Sequence, residues 1–286
     1  MAADFKTAQN PSQPIMAVRG LTLRYARRGV FDARRSSVSA LRDISLEMFA
    51  GRTLALVGPS GCGKTSLARC LVLLEQPSAG EIVYKGESLI EMKREHRKSV
   101  LREIHLIFQD SATALNPRLT VEDILAEPLL IHGLGATKEE RRQRIQEVTA
   151  QVELPATWLN KRPLDLSGGQ RQRVAIARSI MLQPRLLILD EALSALDLST
   201  QGQIANLLRD LQDRHGLTYL FITHDLTMAS AFASEIAVMD AGRVVRRDSP
   251  SKVFTANLHT NCETLAPDSP SRETVLAPLM PLGNDE

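Results

Sequence analysis

The chain has 286 residues, 43% of them hydrophobic and 24% charged, so it can bury a sizeable core, and wholesale disorder is excluded. Its 35 Lys and Arg nearly balance 33 Asp and Glu, leaving a formal charge of +2 that argues against a strongly basic nucleic-acid surface. No apolar run approaches the roughly 18 residues of a membrane span. The three cysteines (Cys62, Cys70 and Cys262) form no CxxC pair, which points to a reducing compartment.

Residues 1–14 are rich in Gln, Asn, Pro, Ser and Ala. They read as a flexible lead-in and carry no basic-then-apolar secretory pattern. Over residues 17–25 and 41–48, apolar and polar residues roughly alternate, as on half-buried strands. The intervening RRGVFDARRSSV, with four arginines, reads as a loop or hairpin tip. Thr53–Val57 is a short apolar run that ends in glycines, a buried strand entering a loop. Residues 66–74 follow as a helix with Leu67, Cys70, Leu71 and Leu74 on one face. Residues 103–108 predict another strand, and a polar, helical section begins near Asp110. Thr137 with Glu140 three residues on is a capping-box signature, and behind it Ile145, Val148 and Val152 make one apolar stripe. Residues 168–181 predict a helix with Val174, Ala177 and Met181 on one side.

Residues 186–189 form an aliphatic run closed by two acids, as expected for a strand buried on both faces. Ile204, Leu207, Leu208 and Leu211 fall at helical spacing. Residues 217–223, 235–239 and 243–245 complete the strands. Strands alternating with helices predict an α/β chain with a largely parallel sheet covered on both faces. From about Ser249 the chain carries five prolines and little periodicity.

Gly58-Pro59-Ser60-Gly61-Cys62-Gly63-Lys64-Thr65 matches the P-loop pattern G-x-x-x-x-G-K-[ST]. Glycines let successive backbone N–H groups converge on one anion, and the helix that follows presents its positive end to the same phosphates. Lys64 reaches the β- and γ-phosphates as a point charge, and the Thr65 hydroxyl can coordinate Mg²⁺. Cys62 fills a variable position as a small loop residue. Asp190 and Glu191 end a buried strand, at the sheet edge where ligands of such folds gather. Asp190 is the natural Mg²⁺ partner and Glu191 a candidate general base for water.

Leu166-Ser167-Gly168-Gly169-Gln170 opens a helix with Ser167 as N-cap, a second anion site. This LSGGQ, followed at short distance by LLILDE, resembles the ATP-binding cassette signature, and the resemblance covers roughly residues 15–250. It implies a RecA-like P-loop core with a mainly parallel sheet, an antiparallel β subdomain and an inserted helical subdomain at about 110–175, with 251–286 as a C-terminal extension. It makes residues 58–65 Walker A, with Ser66 as a further phosphate contact. Asp190 and Glu191 become Walker B and the catalytic base. Gln109, after Leu106-Ile107-Phe108, resembles the Q-loop sensor of Mg²⁺ and γ-phosphate, and Ser194-Ala195-Leu196-Asp197 the D-loop. His224 resembles the switch histidine, and Tyr25 the aromatic that stacks on adenine, with Phe31 as a competing stacker. Two cassettes would then sandwich ATP head to tail, between Walker A of one and Ser167, Gly168, Gly169 and Gln170 of the other.

Phe108-Gln109-Asp110-Ser111, Leu115-Asn116-Pro117-Arg118, Thr120-Val121, Glu127-Pro128-Leu129 and Val253-Phe254 are similar to the dipeptide, oligopeptide and nickel importer ATPases. The resemblance implies a free ATPase subunit using ATP and Mg²⁺ at the cytoplasmic face of the inner membrane. Its expected partners are two transmembrane permease subunits, a second ATPase subunit of its own or another sequence, and, indirectly, a substrate-binding protein. The membrane is reached only through partners, and no nucleic acid is involved. Ala192-Leu193 stands where the group often has Pro-Thr, and Cys262 alone does not make the cysteine cluster of some members. The rival from another class is a non-transport cassette ATPase acting on nucleic acid.

Overall fold

The computed structural model describes residues 13–26, 37–109 and 114–253. Phe31, Asp110, Ser111, Phe254, Cys262 and most of the Arg-rich stretch therefore lie outside the described residues, as do nearly all of the N-terminal lead-in and the C-terminal extension.

Two long strands open the fold, β1 (Pro14–Ala26) and β2 (Ser37–Phe49). They pair antiparallel from Pro14↔Phe49 to Ala26↔Ser37. Strand β3 (Thr53–Val57) matches the expected run. Strands β4 (Ala79–Tyr84) and β5 (Glu87–Ser88) add antiparallel to β1 to give a sheet of order β2-β1-β4-β5. Neither was legible in the sequence: β4 begins Ala-Gly-Glu and β5 has two residues, too little for alternation to show.

The second sheet joins β3 to β6 (Ile104–Ile107), β7 (Leu186–Asp190), β8 (Thr218–Thr223), β9 (Glu235–Asp240) and β10 (Arg243–Asp248). Its order is β10-β9-β3-β8-β7-β6, parallel throughout except for the antiparallel edge strand β10. Every residue of β3, β7 and β8 is buried. The pleat explains why: Leu54, Leu56, Leu186 and Ile188 enter one apolar cluster, shared with the antiparallel sheet, while Ala55, Val57, Leu187 and Leu189 enter the opposite one.

The helices are α1 (Lys64–Leu71), α2 (Arg94–Val100), α3 (Val121–Ile131), α4 (Lys138–Gln151), α5 (Gly168–Ile180), α6 (Leu198–His215) and α7 (Leu226–Phe232). Helix α1 stops short of the expected Leu74, because Leu73 turns to φ 56 and leaves Leu74 64% exposed. Helix α4 opens on the expected capping box between Thr137 and Glu140, and its stripe of Ile145 and Val148, with Val152 just beyond, is buried against α3 and α5. Helix α3 carries a matching box between Thr120 and Asp123.

Parallel pairing has one functional consequence. In register, Val57 lies against Thr223, Ile107 against Leu189 and Asp190 against Ile222. The chain therefore leaves β3, β6, β7 and β8 along a single edge, and the candidate residues Gly58, Gln109, Glu191 and His224 all follow those strand ends.

Candidate functional site

Residues 58–63 carry the chain from β3 into α1. A Cβ on Gly58 would stand 2.1 Å from the Met239 carbonyl oxygen, and one on Gly63, at φ 111, would stand 2.6 Å from that of Ala40. Only glycine fits at either position. The tip of the loop, Ser60 and Gly61, is exposed, as is Thr65. Gly63 is the N-cap of α1, so the unpaired N–H groups of the first helical turn begin where the loop ends.

Lys64 is only 5% exposed. Its Nζ donates to Gly58 O at 2.8 Å and to Pro59 O at 3.0 Å, and lies 3.9 Å from Cys62 Sγ. The ammonium is thus tied to the first turn of the loop. Burial pushes the Cys62 thiol up, against the pull of Lys64. This keeps Cys62 a protonated packing residue, as the sequence suggested.

Asp190 ends β7 with 2% exposure, and its Oδ1 accepts a hydrogen bond from Thr65 Oγ1 at 3.2 Å. Burial raises its carboxyl above the usual range, and Glu191 adds to this, while Thr65 and Lys64 oppose it. The pairing places two hard oxygen donors side by side, the set that suits a small divalent cation.

Glu191 adopts φ 47, a costly conformation for a residue with a Cβ. It is fixed there by three backbone-level bonds: Glu191 N donates to Ile222 O, while Glu191 O accepts from Ser194 N and from Ser194 Oγ. The neighbours Ala192 and Leu193 are buried and anchor the turn in the core. Glu191 Oε2 then lies 3.8 Å from His224 Nδ1. Both line a hollow of about 60 Å³ with Ser194, Gln201, Phe221 and Thr223.

Gln109 is an exposed turn residue just past β6, along the same strand edge. Tyr25, near the end of β1, is 39% exposed and brings its hydroxyl to 3.5 Å from Ser66 Oγ, which excludes the simple core role. Ser167 caps α5: Gln170 N donates to Ser167 Oγ, and Ser167 N donates to Gln170 Oε1. A Cβ on Gly169 would stand 2.5 Å from Thr200 Cγ2, so the LSGGQ turn packs against the start of α6, which Asp197 caps. No hydrogen bond or ion pair among the described residues links Ser167, Gly168, Gly169 or Gln170 to residues 58–66.

The structure thus gathers residues 58–66, Asp190, Glu191 and His224 into one site and leaves the LSGGQ turn on a separate one. The backbone partners of the loop, Ala40, Met239 and Gly242, were not read from the sequence. Carbonyl and amide groups carry no residue-type signal, so no motif could have shown them. Among the described residues no helix is long and apolar enough to cross a membrane, and no group of three or more His, Cys, Asp or Glu is placed to hold a metal.

Residues 41–194 match the ABC transporter family model. The chain is 46% identical over 241 residues to the nickel import ATP-binding protein NikE of Shigella boydii, covering 84% of this chain and 89% of that one. It is 45% identical to NikE of Escherichia coli K12 over 231 residues, covering 81% and 85%. Among solved structures, the dimeric ATP-binding cassette MJ0796 in a post-hydrolysis state with ADP and Pi superimposes with a TM-score of 0.72 at 30% identity, covering 82% of this chain and 98% of that one. CbiO1 of Clostridium perfringens, part of the ABC transporter complex CbiONQ, superimposes with a TM-score of 0.73 at 25% identity, covering 87% and 96%.

Proposed function

The chain belongs to the ABC transporter family of ATP-hydrolysing cassettes, and from that premise we propose that it drives import of nickel, or of di- and oligopeptides, through a membrane transporter. The observation that carries the catalytic reading is the contact of Thr65 with Asp190 at 3.2 Å beside the Glu191–His224 pair.

In hydrolysis, a water oxygen attacks the γ-phosphorus as its proton passes to Glu191. The bond from that phosphorus to the bridging oxygen breaks, and ADP leaves with the electron pair. The backbone N–H groups of residues 60–66, with Lys64 and Ser66, hold the phosphates and offset their charge. Thr65 and Asp190, with Gln109, would hold Mg²⁺, which would supply charge neutralisation of the phosphates. The strained turn at Glu191 directs the carboxylate into the hollow it shares with His224, which contacts the γ-phosphate. Tyr25 stacks on the base. Ser167, Gly168, Gly169 and Gln170 act on the nucleotide of a second cassette, docked head to tail. Their separation from the phosphate loop within one chain favours this arrangement.

The import reading rests on the extent of identity to the NikE proteins and on an apolar groove. The groove, about 430 Å³, is lined by Leu74, Leu106, Phe108, Leu115, Ile131 and Ala175. Leu74 and Ile131 are each 64% exposed there, a patch that needs a covering partner. Transmembrane permease subunits fit that role, and such docking supports a peripheral location at the cytoplasmic face of the inner membrane. The test is reconstitution of the chain with its permease subunits, second ATPase and binding protein in vesicles. Nickel or peptides should stimulate ATP hydrolysis and accumulate inside the compartment that models the cytoplasm. Stimulation by DNA without membrane subunits would favour the nucleic-acid alternative, and stimulation by neither cargo class would refute the import reading.

A further inference from the structure

Two hairpins of this molecule turn on the same device. Lys85 and Gly86, with φ of 50 and 87, join β4 to β5, and Ala241 and Gly242, with φ of 43 and 80, join β9 to β10. Both are two-residue turns with positive φ at each position. Their surroundings differ. A Cβ on Gly86 would meet nothing within 4 Å, whereas one on Gly242 would stand 2.8 Å from Ala40 O.

The second turn is bonded on both sides. Gly242 N donates to Cys62 O at 2.9 Å, and Arg42 N donates to Gly242 O at 2.8 Å. The same Ala40 carbonyl limits the space at Gly63, and the Met239 carbonyl, on the strand leading into the turn, limits it at Gly58. Gly58, Cys62 and Gly63 are therefore each held against β2 or the β9–β10 hairpin.

We infer that the Ala241–Gly242 turn is a strut for the phosphate loop, with Gly242 as a positioning residue for nucleotide binding. This rests on reading residues 58–65 as the loop that holds the phosphates of ATP. The reason lies in the peptide plane between Cys62 and Gly63. In a trans peptide the carbonyl oxygen and the amide hydrogen point in opposite directions. Pinning Cys62 O to Gly242 N therefore aims Gly63 N–H away from the hairpin. A loop that binds an anion through converging N–H groups needs such an external hold, because nothing within its own short, glycine-rich sequence fixes that plane. Gly242 touches no phosphate and acts only through this hold.

The Lys85–Gly86 turn provides the control, since Gly86→Ala carries a similar backbone cost without the clash. Mg-ADP affinity of the full chain is measured by titration calorimetry, with thermal stability alongside. Gly242→Ala should weaken binding about tenfold or more, as small displacements of binding groups do. Gly86→Ala should leave affinity within about twofold while losing stability by the strain of a non-glycine residue at positive φ. Equal effects of the two variants on affinity would overturn the strut. A wild-type chain that binds no nucleotide would instead refute the phosphate-loop reading. Should Gly242→Ala not fold, hydrogen exchange of the wild-type chain decides the question: Mg-ADP should slow exchange of the Gly242 amide and not that of Gly86, and an unchanged Gly242 amide would overturn the inference.

Discussion

Glu191 Oε2 lies 3.8 Å from His224 Nδ1, although the two residues follow different strands. Parallel pairing of β7 with β8 sets their spacing, and the bond from Glu191 N to Ile222 O locks it. A carboxylate held this way can accept a proton from water without reorganising, the condition for effective general-base catalysis. Glu191→Gln keeps the shape and removes the base. ATP turnover in the assembled transporter should fall by about a hundredfold or more, with nucleotide binding retained. Turnover equal to wild type would remove Glu191 from the role.

Asp190 exchanges stability for function. Burial holds its carboxyl pKa above the ordinary value, so the folded chain binds a proton more readily there than the unfolded chain does. The contribution of this group to stability is full below the unfolded pKa and is lost as pH rises through the folded one. Asp190→Asn should therefore raise the melting temperature at pH 7, and the gain should vanish in acid. Hydrolysis should be lost at the same time. A destabilised Asp190→Asn protein at neutral pH would contradict this account.

His105 has the opposite sign. Burial lowers its imidazole pKa to about 4, with the charge of His132 adding to the effect. Below the ordinary His value of about 6.5 the unfolded chain takes up a proton that the folded chain does not. Stability should then fall between about pH 6.5 and about pH 4, by up to about 3 kcal/mol. Urea unfolding of wild type and His105→Gln at neutral and acid pH checks this, and parallel profiles for the two proteins would exclude His105 as a source of acid lability.

Tyr25 offers a ring face at the edge of the phosphate site, with its hydroxyl near Ser66. Stacking of a base on an aromatic ring is worth about 1–3 kcal/mol. Tyr25→Ala should weaken ATP binding about tenfold or more, whereas Tyr25→Phe should retain it, since the ring and not the hydroxyl does the stacking. Equal losses in both variants would point to the Ser66 contact instead.

Residue type and spacing along the chain determined the parts of this protein whose chemistry is local. The phosphate loop is legible because glycines allow its turns and a lysine followed by a hydroxyl residue serves phosphate and cation at its end. The central strands are legible because burial on both faces demands unbroken aliphatic runs, and the capped helices because Thr137 and Ser167 each stand three residues before a partner with the right side chain. Tertiary structure alone decided what depends on distant segments meeting. It ended α1 at Leu71, formed the two-residue strand β5, set Thr65 against Asp190, and placed the Ala40, Met239 and Gly242 backbone around the loop. These are contacts made by backbone groups, or set by strand register. Every residue has the same backbone groups, and register arises only when the whole sheet is assembled.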